Sequence, residues 1–284
     1  MNSKNILITG ASRGLGKYLA KYFATAGFNL CLVARNKFLL EELSEKITSE
    51  THQKVHSFAC NLANSQELEN LIKLIKSKLT SLDVLINNAA IHGPIGPLWK
   101  NDLNLWNEVI KVNLLAPVTL CHQFLPMIKK QKGLIINLSG GGATAPRENF
   151  SAYGTAKAGL VRFSETLAHE AMPYGVRVNS IAPGSMKTAL LSEIIEKGSE
   201  ISGKSEYDSA KKIFNEGGVD MMRVAELINF LISEKGSSIS GKIISTIWDN
   251  WKDWPTHSEE LSKSDAYTLR RIIGSERGFD WGDI

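Results

Sequence analysis

Cysteine and proline are scarce in this chain of 284 residues, with three Cys and eight Pro. Cys31, Cys60 and Cys121 lie in apolar surroundings without CxxC spacing. Neither a disulfide framework nor a thiolate metal site is expected, and buried free thiols in a reducing compartment are. The six histidines form no HExxH motif, so a metal site is not expected. No apolar run reaches the roughly 20 residues that cross a bilayer. The opening stretch MNSKNILITG enters a strand directly, without the apolar core of a secretory signal. A cytoplasmic protein with no membrane partner is therefore expected. Charge of one sign is also missing. The net charge is +4 and no five or six like charges run together, so a nucleic-acid partner is not expected.

What is present is ordinary globular material, 43% hydrophobic and 22% charged. The length fits one large α/β domain that buries its core without staples. Short apolar runs at 5–9, 29–34, 54–60, 83–88, 133–139, 176–183 and 241–246 read as strands. Most are continuously apolar, as strands covered on both faces are. Longer amphipathic stretches at 15–27, 37–49, 65–80, 103–130, 152–173 and 219–234 read as helices. This alternation predicts a single-domain, doubly wound, Rossmann-like parallel sheet of about seven strands, with ligands at the strand C-termini. Residues 184–217 read as a substrate loop or lid, and 247–284 form an extension holding four of the six tryptophans.

The first strand runs into TGASRGLG, Thr9 to Gly16, which opens a helix. Gly10 allows a tight turn, while Gly14 and Gly16 let backbone approach a pyrophosphate at the helix N-terminus. The second strand ends at Ala34 and Arg35, where an NAD enzyme carries an acid for the ribose 2′-hydroxyl. Arg35 and Arg13 together suit a 2′-phosphate, hence NADP(H); the alternative is that each is merely solvated. Tyr153 and Lys157 stand at i and i+4, neighbours on one helix face. A nearby ammonium favours the phenolate and brings a tyrosine closer to acid–base work.

With TGASRGLG, NNAA (87–90), KVN (111–113), YGTAK (153–157) and PG (183–184) in this order, the chain resembles the short-chain dehydrogenase/reductase family, classical type, over residues 4 to about 246. The resemblance implies an enzyme in which Tyr153 is the general acid/base. Lys157 tunes it and holds the ribose, Asn113 supports a water in the proton relay, and Ser139 is the candidate orienting hydroxyl. It further implies a cofactor set of Gly10, Ser12, Arg13, Gly14, Leu15, Gly16, Arg35, Asn61, Leu62, Asn87, Ala89, Tyr153, Lys157, Pro183, Gly184 and Thr188. Two positions depart from the family's habit: Ala90 replaces a glycine, and Asn61 stands where an Asp usually meets the adenine. A third concerns the serine. Counted along the fifth strand, its place falls on Gly140, and Ser139 is one residue early. Side chains alternate along a strand, so Ser139 faces the other way unless the glycines at 140–142 bulge and re-aim it. Either that happens, or glycine backbone or a water replaces the hydroxyl.

The resemblance implies an NADP(H)-dependent oxidoreductase of the carbonyl/secondary alcohol type, with a small-molecule substrate, a homodimer or homotetramer, and no metal. A sugar or nucleotide-sugar substrate is one expectation and 3-oxoacyl carrier-protein reduction another. A non-catalytic NADP(H)-binding sensor or scaffold is the alternative of another class. Trp248, Trp251 and Trp254 either pin the tail to the body or to a neighbouring subunit, or one or two of them line the substrate site. Arg270, Arg271 and Arg277 either meet a phosphate or carboxylate, or pair with the tail's own acids.

Overall fold

Each expected strand forms within a residue or two of its predicted bounds. The computed structural model describes residues 3–281. β1 (Asn5–Thr9), β2 (Asn29–Ala34), β3 (Val55–Ala59), β4 (Val84–Asn87), β5 (Leu134–Leu138), β6 (Arg177–Ala182) and β7 (Ile243–Ser245) make one sheet in the order β3-β2-β1-β4-β5-β6-β7. All six pairings are parallel. Side-chain alternation explains the continuous apolar runs. Ile6, Ile8, Leu30, Leu32, Ile86 and Ile136 face one helical layer, whereas Leu7, Cys31, Val33, Leu85 and Ile135 face the other.

The first layer holds α1 (Gly14–Thr25), α2 (Lys37–Thr51) and, further along the chain, a helix at Met221–Ile232; the second holds α3 (Ser65–Lys78) and the long helices that follow. Asn36 and Asn64 cap α2 and α3 by accepting backbone N–H bonds. The helix predicted over 103–130 forms as one helical run with a π turn inside it. α4 (Leu103–Ile110) and α5 (Ala116–Gln131) are joined by a π turn at Lys111–Leu115. A π turn adds one residue to a helical circuit, and such turns gather at functional sites. α6 (Ser151–Ala171) then carries the Tyr-x-x-x-Lys stretch.

Residues 184–217 are helical rather than a loop: α7 (Ala189–Lys197), α8 (Ser199–Ser202) and α9 (Lys204–Glu216) precede α10 (Met221–Ile232). Gly198, Gly203 and Gly217 separate them, all with positive φ. Their apolar faces pack onto the body, with Leu191, Ile194 and Ala210 against Ile95, Phe150 and Tyr153.

The tail is part of the body. Trp251 and Trp254 lie in the core layer with α1 and α10, and Trp251 tilts against Phe230 at 5.0 Å. The short α11 (Ser258–Lys263) adds Leu261 to the same cluster. The chain then passes the edge of the sheet, where Ile243 N–H donates to Tyr267 O at 2.8 Å. Lys242 Nζ donates to the carbonyls of Ser264 and Ala266, and Leu269 N–H donates to Glu165 at 2.6 Å. An edge strand with open N–H and C=O groups invites pairing with another chain, and the tail covers this one. Trp248 and Trp281 remain exposed, and Arg270 pairs with Asp265 and Glu276 of the tail itself. Residues 282–284, the end of the predicted extension, lie outside the described residues. No helix among the described residues is long and apolar enough to cross a membrane, and they hold no cluster of His, Cys, Asp or Glu suited to a metal.

Candidate active site

The order in which strands are added reverses across the sheet between the parallel strands β1 and β4, so the connections leaving them pass to opposite faces. Doubly wound sheets open a crevice at this point. Here it is a cleft of about 650 Å³ that runs from Arg13, Arg35 and Asn61 at one end to Ser139, Tyr153 and Lys157 at the other. Gly10, Ser12, Gly14, Leu15, Gly16, Leu62, Ala89, Pro183 and Thr188 line it between those ends. No residue of the tail does.

The glycine loop is shaped by contact as well as by φ. A Cβ on Gly10 would come within 2.8 Å of Ala89 Cα, and one on Gly16 would strike Gly10 O and Asn88 Nδ2. Asn88 Nδ2 donates to Thr9 O at 2.8 Å, and Thr9 Oγ1 accepts from the backbone N–H groups of Asn88 and Ala89. Thr9 and Asn88 thus rivet the two loops that flank the crevice. α1 begins without a side-chain cap and without an acid in its first turn, so its N-terminal amides are open to an anion. Arg13 and Arg35 are both exposed, and neither guanidinium makes a hydrogen bond or ion pair among the described residues. Asn61 uses its side-chain oxygen to hold Ala63 N–H at 3.1 Å, which leaves its amide NH₂ as the group available at this end of the cleft.

At the other end Tyr153 and Lys157 are 6% and 1% exposed. The Lys157 ammonium donates to Leu138 O at 2.6 Å and sits 5.7 Å from the centre of the Tyr153 ring. Burial lowers the Lys157 pKa to about 8. Burial also raises the Tyr153 pKa, and the charge that opposes this rise belongs to Arg147. Desolvation is the larger effect in the protein alone, and the cation that opposes it lies in a different loop.

Gly140 is where the phenol sits. A Cβ there would lie 3.1 Å from Tyr153 Cε1 and Cζ, and closer still to its oxygen. No side chain fits between. β5 ends at Leu138; Ser139 N–H still donates to Ile181 O at 2.8 Å, and a turn follows in which the Gly140 carbonyl accepts from Ala143 N–H. Ser139 is among the residues that line the cleft, and its hydroxyl is buried without a hydrogen-bond partner among the described residues.

Three expected site residues do not reach the cleft. Asn87 turns into the sheet, donating to Asn137 Oδ1 at 2.8 Å, because its neighbour Asn88 takes the cleft side. Asn113 is wholly buried in the π turn and clasps the Ile91 backbone with both side-chain atoms, at 3.0 and 2.8 Å. It thereby fixes the segment after β4 that forms part of the cleft wall. Gly184 has φ 75° and lies beneath Val219 and Ile247. Sequence reasoning passed over Asn88, His92 and Arg147. Asn88 was legible as the second Asn of the NNAA motif; the other two come from loops with no motif of their own.

A family model described as short chain dehydrogenase matches residues 4–198. The 3-oxoacyl-[acyl-carrier-protein] reductase of Aquifex aeolicus is 31% identical over 248 residues, covering 86% of this chain and 96% of the relative. Serine 3-dehydrogenase of Agrobacterium fabrum is 32% identical over 186 residues, covering 66% and 73%. Among solved structures, the L-sorbose reductase of Gluconobacter frateurii complexed with NADPH and L-sorbose superposes with a TM-score of 0.76 at 25% identity, over 86% of this chain and 95% of that one.

Proposed function

The chain belongs to the short-chain dehydrogenase family of oxidoreductases, and on that premise we propose that it interconverts a carbonyl and a secondary alcohol with NADP(H). The observation that carries this reading is the buried Tyr153–Lys157 pair at the inner end of a cleft whose outer end holds two unpaired guanidiniums. The cleft suits a dinucleotide: open amides at the α1 N-terminus meet the pyrophosphate, and Arg13 and Arg35 grip the ribose phosphate. When bound, the reduced nicotinamide supplies hydride to the substrate carbon. Tyr153 gives its proton to the substrate oxygen as negative charge develops there. A phenol whose pKa is raised by burial holds that proton at neutral pH, as reduction requires. The phenolate left behind is stabilised by Lys157, and Lys157 in turn is anchored on Leu138 O. In the absence of a serine at 140, Ser139, which lines the cleft, supplies the hydroxyl nearest the substrate.

The proposed substrate is a small ketone such as a sugar or nucleotide sugar, supported by the likeness to a reductase bound to L-sorbose. Reduction of a 3-oxoacyl thioester is the second reading, supported by the relative that performs it. The test is NADPH consumption with ketosugars, keto-sugar nucleotides and acyl thioesters. Loss of turnover in Tyr153→Phe, with NADPH still bound, supports the reading; retained turnover refutes it.

A further inference from the structure

Arg147 has a position that the proposed reaction does not use. It lies in the loop between β5 and α6, with its guanidinium 3.8 Å over the Phe150 ring and 5.7 Å from the centre of the Tyr153 ring. The glycines make room for it. A Cβ on Gly142 would meet Arg147 Cβ at 3.3 Å, and one on Gly141 would meet its Cδ at 3.6 Å. Its partner comes from the helical insertion. Arg147 Nε and Nη2 each donate to Glu206 of α9, both at 2.8 Å, in a two-pronged carboxylate grip. The two side chains are only 15% and 32% exposed. A second acid of the insertion, Glu193 of α7, stands 3.5 Å from Nδ1 of His92, which is edge-on to Tyr153 at 5.0 Å. Both acids therefore cross from the insertion to basic groups beside the acid–base tyrosine.

The same insertion covers one side of Tyr153, whose other side lines the cleft. Leu191, Ile194 and Ala210 pack with Phe150 and Tyr153. A substrate group that extends from the cleft past Tyr153 and between these faces meets Arg147 only by taking the place of Glu206. A half-buried guanidinium without its carboxylate is costly. A neutral ketone leaves that cost standing, whereas a substrate carboxylate removes it by taking the same two N–H groups.

We propose that Arg147 is the anchor for a carboxylate on the substrate, with Glu206 as the intramolecular group that holds its place. The inference rests on the reading of the cleft given above and narrows its substrate class to keto acids, including keto-sugar acids. Specificity would come from a buried ionic site that rejects the neutral analogue, the stronger form of discrimination.

The test is binding, not turnover, so it stands apart from the reading of Tyr153. Protein saturated with NADP⁺ is titrated calorimetrically with 3-oxobutanoate and with its neutral near-isostere 3-oxobutanamide. Glu206→Gln, which removes the internal competitor, should bind the acid tighter than the amide by on the order of 10- to 100-fold, the range of a bidentate charged pair. The parent should show the same preference, reduced by the competition. Arg147→Gln should erase it, and Arg147→Lys should restore part of it. Equal binding of acid and amide by Glu206→Gln, or an acid preference that survives Arg147→Gln, overturns the proposal. NADPH binding followed by tryptophan-to-nicotinamide energy transfer reports the cofactor site in every variant. Its loss in the parent would instead refute the cofactor reading, and melting curves identify any variant that fails to fold.

Discussion

Replacing Gly140 by alanine tests the geometry of the site most directly. The added Cβ would stand 3.1 Å from two ring carbons of Tyr153 and nearer to its oxygen. Gly140 is not among the glycines with positive φ, so alanine brings no backbone strain and the effect is steric. The phenol has little room to retreat, since Tyr153 is 6% exposed and its ring is held by His92, Leu191 and Ile194. Ordinary contact begins at 3.4 Å, so the hydroxyl has to withdraw by about 1 Å. A displacement of that size at a reacting atom costs on the order of 100-fold in rate, or about 3 kcal/mol of barrier. Overpacking adds roughly 1–3 kcal/mol of destabilisation. The assay is kcat and kcat/KM for NADPH-dependent reduction, with NADPH affinity by fluorescence and Tm alongside. Affinity should hold, because Gly140 does not line the cleft. Gly140→Ser, which restores the family's residue type, should be as slow or slower. Parent-like kcat in Gly140→Ala would refute the claim that the phenol is confined against Gly140.

Three other outcomes are expected. Arg35→Asp should weaken NADPH binding by about 10- to 100-fold and improve NADH binding; an unchanged ratio of dissociation constants would show that Arg35 does not read the phosphate. Lys157 has a folded-state pKa of about 8, below its ordinary 10.5. Between those values the unfolded chain binds the extra proton, so stability from this group is present above 10.5 and is lost as pH falls through 8. Urea unfolding of the parent against Lys157→Met should show a gap shifting in the parent's favour by up to about 3 kcal/mol from pH 7.5 to pH 10, and a flat gap would contradict the burial of the charge. Trp251→Ala should cost about 3–5 kcal/mol by leaving a core cavity, while the exposed Trp248→Ala should change Tm little; similar losses in both would mean that the tail is not docked through Trp251.

The sequence by itself determined the frame of this protein. Seven apolar runs too short for helices specify strands, and their lack of polar alternation specifies a sheet covered on both faces. Local chemistry also announced the cofactor loop, since Gly10 and Gly16 sit where a Cβ has no space, and the helix that carries Tyr153 and Lys157 one turn apart. These features are legible because their causes act within a few residues. The tertiary structure decided the rest, since the deciding contacts are made by residues far apart in the chain. Asn87 and Asn88 differ only in which side of the sheet they take, and that depends on strands 50 and 79 residues away. The π turn at Asn113 answers to the Ile91 backbone, 22 residues earlier. The place counted for a serine is taken by a phenol from the next helix, and the cation beside that phenol is Arg147, held by an acid 59 residues further on. Strand alternation and glycine spacing say where a side chain can point; only the packed neighbours say what already stands there.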